Sequence, residues 1–280
     1  MSDLTEQSDA DPEPLQPLRA THSIRRPFAG ARTISALMLR EMSTRYGRTP
    51  GGYIWAIMEP LCVIFVLALG FSLLIRSPPI GSSFVLFYAS GYIVFHVYQQ
   101  MSLHVSRSIV FSLPLMFYPA VTWIDAVVAR AVLNALTAIM VGYITLMIVM
   151  VTLDTRTVID VVPMIQAGLL ALFFGFGVGV TNCALIGLFP TWDIIWSIIT
   201  RPLFIASGIL FILEDLPQTA REVLWYNPLI HIVGLFREGL YPMYTAQYVS
   251  LAYVAGLSTL LTALGLALLH RHHRDIIERG

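Results

Sequence analysis

The chain has 280 residues, 56% of them hydrophobic and 12% charged, and its formal net charge is zero. Soluble domains carry roughly 25% charged residues, so an ordinary water-soluble globule is excluded. All seventeen basic residues are arginine, and the chain has no lysine.

Residues 1–30 open with five carboxylates, Asp3, Glu6, Asp9, Asp11 and Glu13, set among Pro and Gln. Such a stretch buries too little apolar surface to fold and reads as a disordered acidic cytosolic tail. It lacks the apolar core and cleavage site of a signal peptide. Residues 31–50 read as an amphipathic interfacial helix. Ile34, Leu37, Met38, Met42 and Tyr46 recur near the helical period, with Arg40, Ser43 and Thr44 turned away. Glu41 and Arg45 form an i,i+4 pair in the favourable order. The apolar side is expected in the acyl boundary of the cytoplasmic leaflet. Thr49-Pro50-Gly51-Gly52 then turns the chain into the bilayer.

Residues 53–270 form the transmembrane domain, with apolar runs at about 53–75, 84–103, 126–153, 161–188, 194–213 and 248–269. In lipid only helices or closed barrels satisfy the backbone, and the short alternating strands of a barrel are missing. The expected fold class is therefore an all-α membrane protein with six transmembrane helices. Gly168, Gly175, Gly177 and Gly179 of the fourth run allow close helix approach. Residues 224–241, "LWYNPLIHIVGLFREGLY", are too short and too polar to span. They are expected as short interfacial or re-entrant helices on the outer (periplasmic) face before the last span, bent at Asn227-Pro228, with Arg237-Glu238 as a charge pair holding the second helix. Residues 271–280 form a cytosolic tail. Seven arginines in 19–48, with Arg271, Arg274 and Arg279, place both termini in the cytoplasm by the positive-inside bias. The loops at 77–83, 154–160 and 214–247 then face outward.

Several chemistries are missing. With no lysine the chain cannot build a standard P-loop, and no HExxH, GxSxG or CxxC motif occurs. Cys62 and Cys183 lie in apolar spans and read as small buried hydrophobes rather than a disulfide. His270, His272 and His273 read as a solvated cationic cap at a helix end rather than a metal site. His96 and His104, eight residues apart, read as hydrogen-bonded packing or pathway residues. Asp125, Arg130 and Arg201 sit near predicted cytoplasmic ends, whereas ion-coupled transporters place carboxylates or unwound helices at the midplane. The energy for any transport is expected from outside the chain.

The stretch 106–121, "SRSIVFSLPLMFYPAV", links the second and third spans on the cytoplasmic side. Ser108 is expected to cap a short helix over 109–113, ended by Pro114 and Pro119. Val110, Phe111, Leu113, Leu115, Met116 and Phe117 leave an apolar surface where water is expected. Such a patch marks an interaction site, or else a loop resting on headgroups.

Three stretches resemble one family in the same order along nearly the whole chain: "ALMLREMSTRYGRTPGGYIWAIMEP" (36–60), "IDAVVARAVLN" (124–134) and "LWYNPLIHIVGLFREGLYPMY" (224–244). They are similar to ABC-2 type polysaccharide export permeases, closest to the capsular (KpsM-type) branch. Two departures are the lack of a basic residue in "SLPLMFYPAVTWID" and Gly51 where the family commonly has Leu.

The resemblance implies the membrane half of an ATP-binding cassette exporter in the bacterial inner membrane. It would move a lipid-linked acidic polysaccharide from cytoplasm to periplasm and would not be an enzyme itself. A homodimer would pair with two separate ATPase subunits, which bind ATP and Mg, and with periplasmic co-polymerase or export proteins. No cofactor or metal is expected in this chain, and no nucleic-acid partner. Trp55, Tyr88, Tyr92, Phe95 and Tyr98 are candidates for the sugar path, since rings stack on sugar faces without fixing one orientation; packing is the plain alternative. Arg40, Arg45 and Arg48 are candidates for anionic lipid or polymer contact by bidentate hydrogen bonding. Arg107, Ser108, Phe111, Leu113 and Phe117 are candidates for ATPase coupling, and Asn227, Pro228, Arg237 and Glu238 for the periplasmic exit. Two other readings stay open: an O-antigen or teichoic-acid permease, told apart by its ATPase partner, and a membrane-embedded enzyme on lipid-linked sugars, for which no acid–base pair is found.

Overall fold

The computed structural model describes residues 29–46, 51–116, 118, 121–153 and 159–279. Most of the expected acidic tail, 1–28, lies outside the described residues; Ala29 and Gly30 already belong to the first helix. The described residues form helices and no strand: α1 (Ala29–Tyr46), α2 (Gly52–Ser72), α3 (Phe84–Ser106), α4 (Ser108–Met116), α5 (Trp123–Thr152), α6 (Val161–Leu188), α7 (Thr191–Ala206), α8 (Gln218–Trp225), α9 (Pro228–Leu240) and α10 (Leu251–Arg279).

Local chemistry sets most of these boundaries. Gly51, with φ of 76°, starts α2 from a left-handed conformation that a side chain would strain. Ser83 caps α3 by accepting from the Leu86 amide. Thr122 and Asp125 exchange side-chain and backbone bonds in a capping box that starts α5. Asp160 accepts from Val162 at the start of α6.

The centre of the bundle is α3 against α6, with α5 and α2 packed on α3 and α10 and α9 on α6. Close approach rests on missing side chains. A Cβ at Gly179 would lie 2.7 Å from Val105 Cβ, and one at Gly175 would lie 2.8 Å from the Tyr98 carbonyl. On the other side of α6, a Cβ at Gly265 of α10 would lie 2.6 Å from the Thr181 nitrogen. Gly168, expected to share this role, meets nothing within 4 Å.

Among the described residues four helices are long and apolar enough to cross a membrane: Ile54–Ser72, Trp123–Thr152, Val161–Leu188 and Leu251–Glu278. The other two expected spans depart for different reasons. Helix α3, at 23 residues, has the length but carries His96, Gln99, Gln100, Ser102 and His104; most of it is buried in protein, which relaxes the demand for apolarity. Helix α7 has 16 residues and ends at Ala206, not at 213. There Asn227 donates to the Ala206 carbonyl at 2.8 Å and Gly208, with φ of 78°, turns the chain away. Helix α10 runs past the expected end of the last span. Its final turns, expected as a cytosolic tail, bury Ile276 against Gly187.

Helix α1 lies against α5, and Glu41 is part of its inward side. Ile34, Leu37 and Met38 are half-buried, while Met42 is exposed. The expected lipid-facing stripe is therefore shared between protein and surroundings. Cys183 is buried but Cys62 is exposed on α2, and the two are not bonded. His273 stacks on Trp123 at 5.9 Å, so this part of the histidine cluster packs rather than standing free in solvent. Among the described residues no group of three His, Cys, Asp or Glu is placed to hold a metal.

Candidate functional site

A groove of about 510 Å³ opens between α3 and α7. From α7 it is lined by Asp193, Trp196, Ser197, Thr200, Arg201 and Phe204. Their spacing of three and four residues places them on one helical face. From α3 come Tyr98, Gln99, Ser102, Leu103, Ser106 and Arg107. Hydroxyls, an amide, three aromatic rings and two arginines thus share one cleft. On α7 the remaining face is apolar and exposed, at Ile194, Ile195, Ile198, Ile199 and Ile205.

One end of the groove is crossed by an ion pair, Arg107 Nη2 to Asp193 Oδ2 at 3.1 Å. Both side chains are about half exposed, and such pairs contribute about 0–1 kcal/mol. This contact opens easily. Beyond the Phe204 end of the groove, Arg237 of α9 is buried. Its Nη2 donates to the Ile209 carbonyl and its Nη1 to that of Phe211, each at 2.9 Å, and the guanidinium lies over the Phe87 ring at 4.2 Å. Helices α3 and α7 are therefore antiparallel, with α4 beside the Arg107 end and α9 beside the Arg237 end.

The segment 224–241, expected as a pair of short helices, holds the last two residues of α8 and the whole of α9. Asn227 Oδ1 accepts from the Leu229 amide, and Pro228 occupies the first turn of α9, so the expected bend is present. The expected Arg237–Glu238 pair is replaced by the carbonyl contacts of Arg237; Glu238 is half-buried elsewhere on the helix. His231, which sequence reasoning passed over, donates from Nε2 to the Trp225 carbonyl at 2.8 Å and accepts at Nδ1 from the Ser250 amide at 3.2 Å. That tautomer is neutral, and burial holds its pKa below the usual histidine range.

A family model described as "ABC-2 type transporter" matches residues 32–241. The chain belongs to the ABC-2 type transporters. It is 32% identical over 238 residues to the polysialic acid transport protein KpsM of Escherichia coli, covering 84% of this chain and 92% of that protein. It is 28% identical over 246 residues to the capsule polysaccharide export inner-membrane protein CtrC of Neisseria meningitidis serogroup B, covering 88% and 92%. BexB of Haemophilus influenzae, also named a capsule polysaccharide export inner-membrane protein, is 27% identical over the same shares. The chain is a transport permease subunit and not an enzyme acting alone.

In this permease the expected aromatic path is split. Tyr98 lines the groove and stacks on Phe174 at 5.1 Å. Tyr92 and Phe95 lie behind it and hold Phe204 edge-on, Phe95 at 5.2 Å. Tyr88 is packed between Phe71 and Phe87 in the core. Trp55 is 66% exposed on α2 and does not line the groove. The rings of α7, Trp196 and Phe204, were missed. Polar residues at helical spacing within an apolar run were the available signal.

The cytoplasmic candidates divide likewise. Arg107 faces Asp193. Ser108 is the buried first residue of α4, with Oγ 3.4 Å from Cys183 Sγ, and does not cap the helix end as expected. Helix α4 also continues through Pro114 to Met116. Pro114 has no N–H to offer the Val110 carbonyl one turn back, and Val110 is on the surface. Phe111 is on the surface and Leu113 half-buried. Arg40 lies over the Phe111 ring at 5.6 Å. The side chains of Arg45, Arg48 and Phe117 lie outside the described residues. Glu41 is paired with Arg130, 89 residues away; the expected Glu41–Arg45 pair lies outside the described residues.

Proposed function

We propose that this chain is the membrane subunit of an ATP-binding cassette exporter that moves a lipid-linked acidic polysaccharide of the capsular type from cytoplasm to periplasm. The observation that carries the reading is the groove between α3 and α7. Aromatic rings offer flat faces to sugars, Ser, Thr and Gln side chains bond hydroxyls, and Arg107 and Arg201 suit carboxylates. The names of the related inner-membrane proteins support the cargo class. Six spans, α2, α3, α5, α6, α7 and α10, place both ends in the cytoplasm of a bacterial cell, with α8 and α9 at the periplasmic exit. A second copy covers the exposed apolar faces of α2 and α7 and closes the groove into a path. Helix α4 docks on a separate ATPase subunit, one per copy, and that subunit binds the ATP and Mg. Periplasmic co-polymerase or export proteins receive the polymer.

The test is reconstitution with the cognate ATPase in vesicles and measurement of polymer export. Trp196→Ala removes one stacking platform, whose loss is worth about 1 kcal/mol, and export is expected to fall about fivefold with the ATPase still bound. Phe111→Ser with Leu113→Ser is expected to release the ATPase or to leave ATP turnover without export. Parental export by the first variant overturns the groove as the path, and parental export by the second overturns α4 as the docking helix.

A further inference from the structure

Arg130 of α5 is 7% exposed and Glu41 of α1 is 3% exposed. The Arg130 Nε donates to Glu41 Oε2 at 3.1 Å. Its Nη2 lies 3.0 Å from Oε1, which is held by charge rather than by a directed hydrogen bond. Nη1 of the same guanidinium donates to the His104 carbonyl near the end of α3, at 3.1 Å. Its Cζ lies over the Phe111 ring of α4, 4.1 Å from the ring centre. One side chain thus ties its own helix, α5, to three others, α1, α3 and α4, and α1 has little other contact with α3 or α4.

We propose that Arg130 is the positioning residue of the junction that carries force from the ATPase into the spans. It fastens α4 to α1, α3 and α5, so that a push on α4 moves the bundle instead of bending the connection around Arg107 and Ser108. This inference rests on the reading of α4 as the docking helix. A buried ion pair adds little to stability compared with well-packed apolar residues. What an apolar replacement cannot supply is direction. The guanidinium donates along fixed axes to a carboxylate and a carbonyl while its charge lies over the Phe111 ring, and these contacts set the register of α4. Arg40, over the same Phe111 ring, lies on α1 and reinforces the contact.

The pair is tested by replacing it as a unit, Arg130→Met with Glu41→Leu, so that no buried charge is left alone. The full chain is reconstituted with its ATPase. Bound ATPase, ATP turnover and polymer export are measured, with Arg130→Lys beside it. The apolar pair is expected to keep its ATPase and to turn over ATP, while export falls about tenfold, because packing is preserved and register is lost. Arg130→Lys, which keeps the charge on Glu41 but not the fork, is expected to recover about a third of parental export. Parental export by the apolar pair overturns the proposal, and so does loss of the ATPase together with export, which marks a merely structural role. Val110→Ser with Leu113→Ser, which leaves the Phe111 ring under Arg130, separates the two readings. If that variant keeps its ATPase and exports, α4 is not the docking helix and the present inference falls with it. If that variant fails while the apolar pair exports normally, only the role of Arg130 is refuted.

Discussion

Arg237 offers the clearest quantitative test of how α9 is held to the rest of the bundle. Its guanidinium ties α9 to the turn after α7 through the carbonyls of Ile209 and Phe211, and Nε lies 3.4 Å from Ser90 Oγ on α3. Gly91 leaves room for it, since a Cβ there would stand 3.2 Å from Nη2. Arg237→Lys keeps the positive charge but replaces a planar fork by a single point. It loses at least one charged hydrogen bond, worth about 1.5–3 kcal/mol. The flat contact over Phe87 is weakened as well, by about 0.5–1 kcal/mol. A total near 3 kcal/mol, at roughly 2–4 °C per kcal/mol for a chain of this size, lowers the melting temperature by about 6–12 °C. Intrinsic tryptophan fluorescence in detergent follows the transition, because Trp225 lies in the adjacent helix α8. Arg237→Met leaves both carbonyls without a donor but also relieves the burial of a charge, so its loss is expected to be no larger than that of Lys. A Lys variant that melts within 1 °C of the parent refutes the reasoning, since the carbonyl contacts would then carry no net energy.

Two further outcomes follow from other contacts. Gly265→Ala forces a methyl to within 2.6 Å of the Thr181 backbone; α6 and α10 must separate, at a cost of about 1–3 kcal/mol, read as a lower melting temperature with insertion unchanged. Arg40→Gln is expected to weaken retention of an anionic lipid-linked polymer about fivefold at low salt, since one arginine at an anionic surface contributes about 1 kcal/mol. The difference between variant and parent should vanish near 1 M salt, where the screening length is about 3 Å, and persistence there would rule out a charge contact.

Much of the fold is legible in the amino-acid order. A run of about twenty apolar residues has no stable place in water, and in lipid the backbone must satisfy itself as a helix. Runs near 54–72, 123–152, 161–188 and 251–278 therefore declare themselves, as do the turn at Gly51 and the bend at Asn227-Pro228. Where a helix is shielded by protein, that logic loses its hold. Helix α3 can carry His96, Gln99 and Gln100 because its neighbours surround it, and α7 ends early because Asn227 and Arg237 take up the carbonyls beyond its last turn.

The site is less legible, because periodicity says which face of a helix a residue occupies but not which helix it meets. The polar face of α7 was present in the sequence, yet only the antiparallel packing of α7 on α3 makes a groove of it and picks Tyr98 from the aromatic series. Glu41 shows the same division. Spacing offers it Arg45 four residues on, a surface pair worth about 0.3–0.5 kcal/mol. The folded chain gives it Arg130, already oriented by the His104 carbonyl and the Phe111 ring in a site closed to water. Charge attraction is far stronger there than at the surface, and only the tertiary structure brings this distant partner within reach.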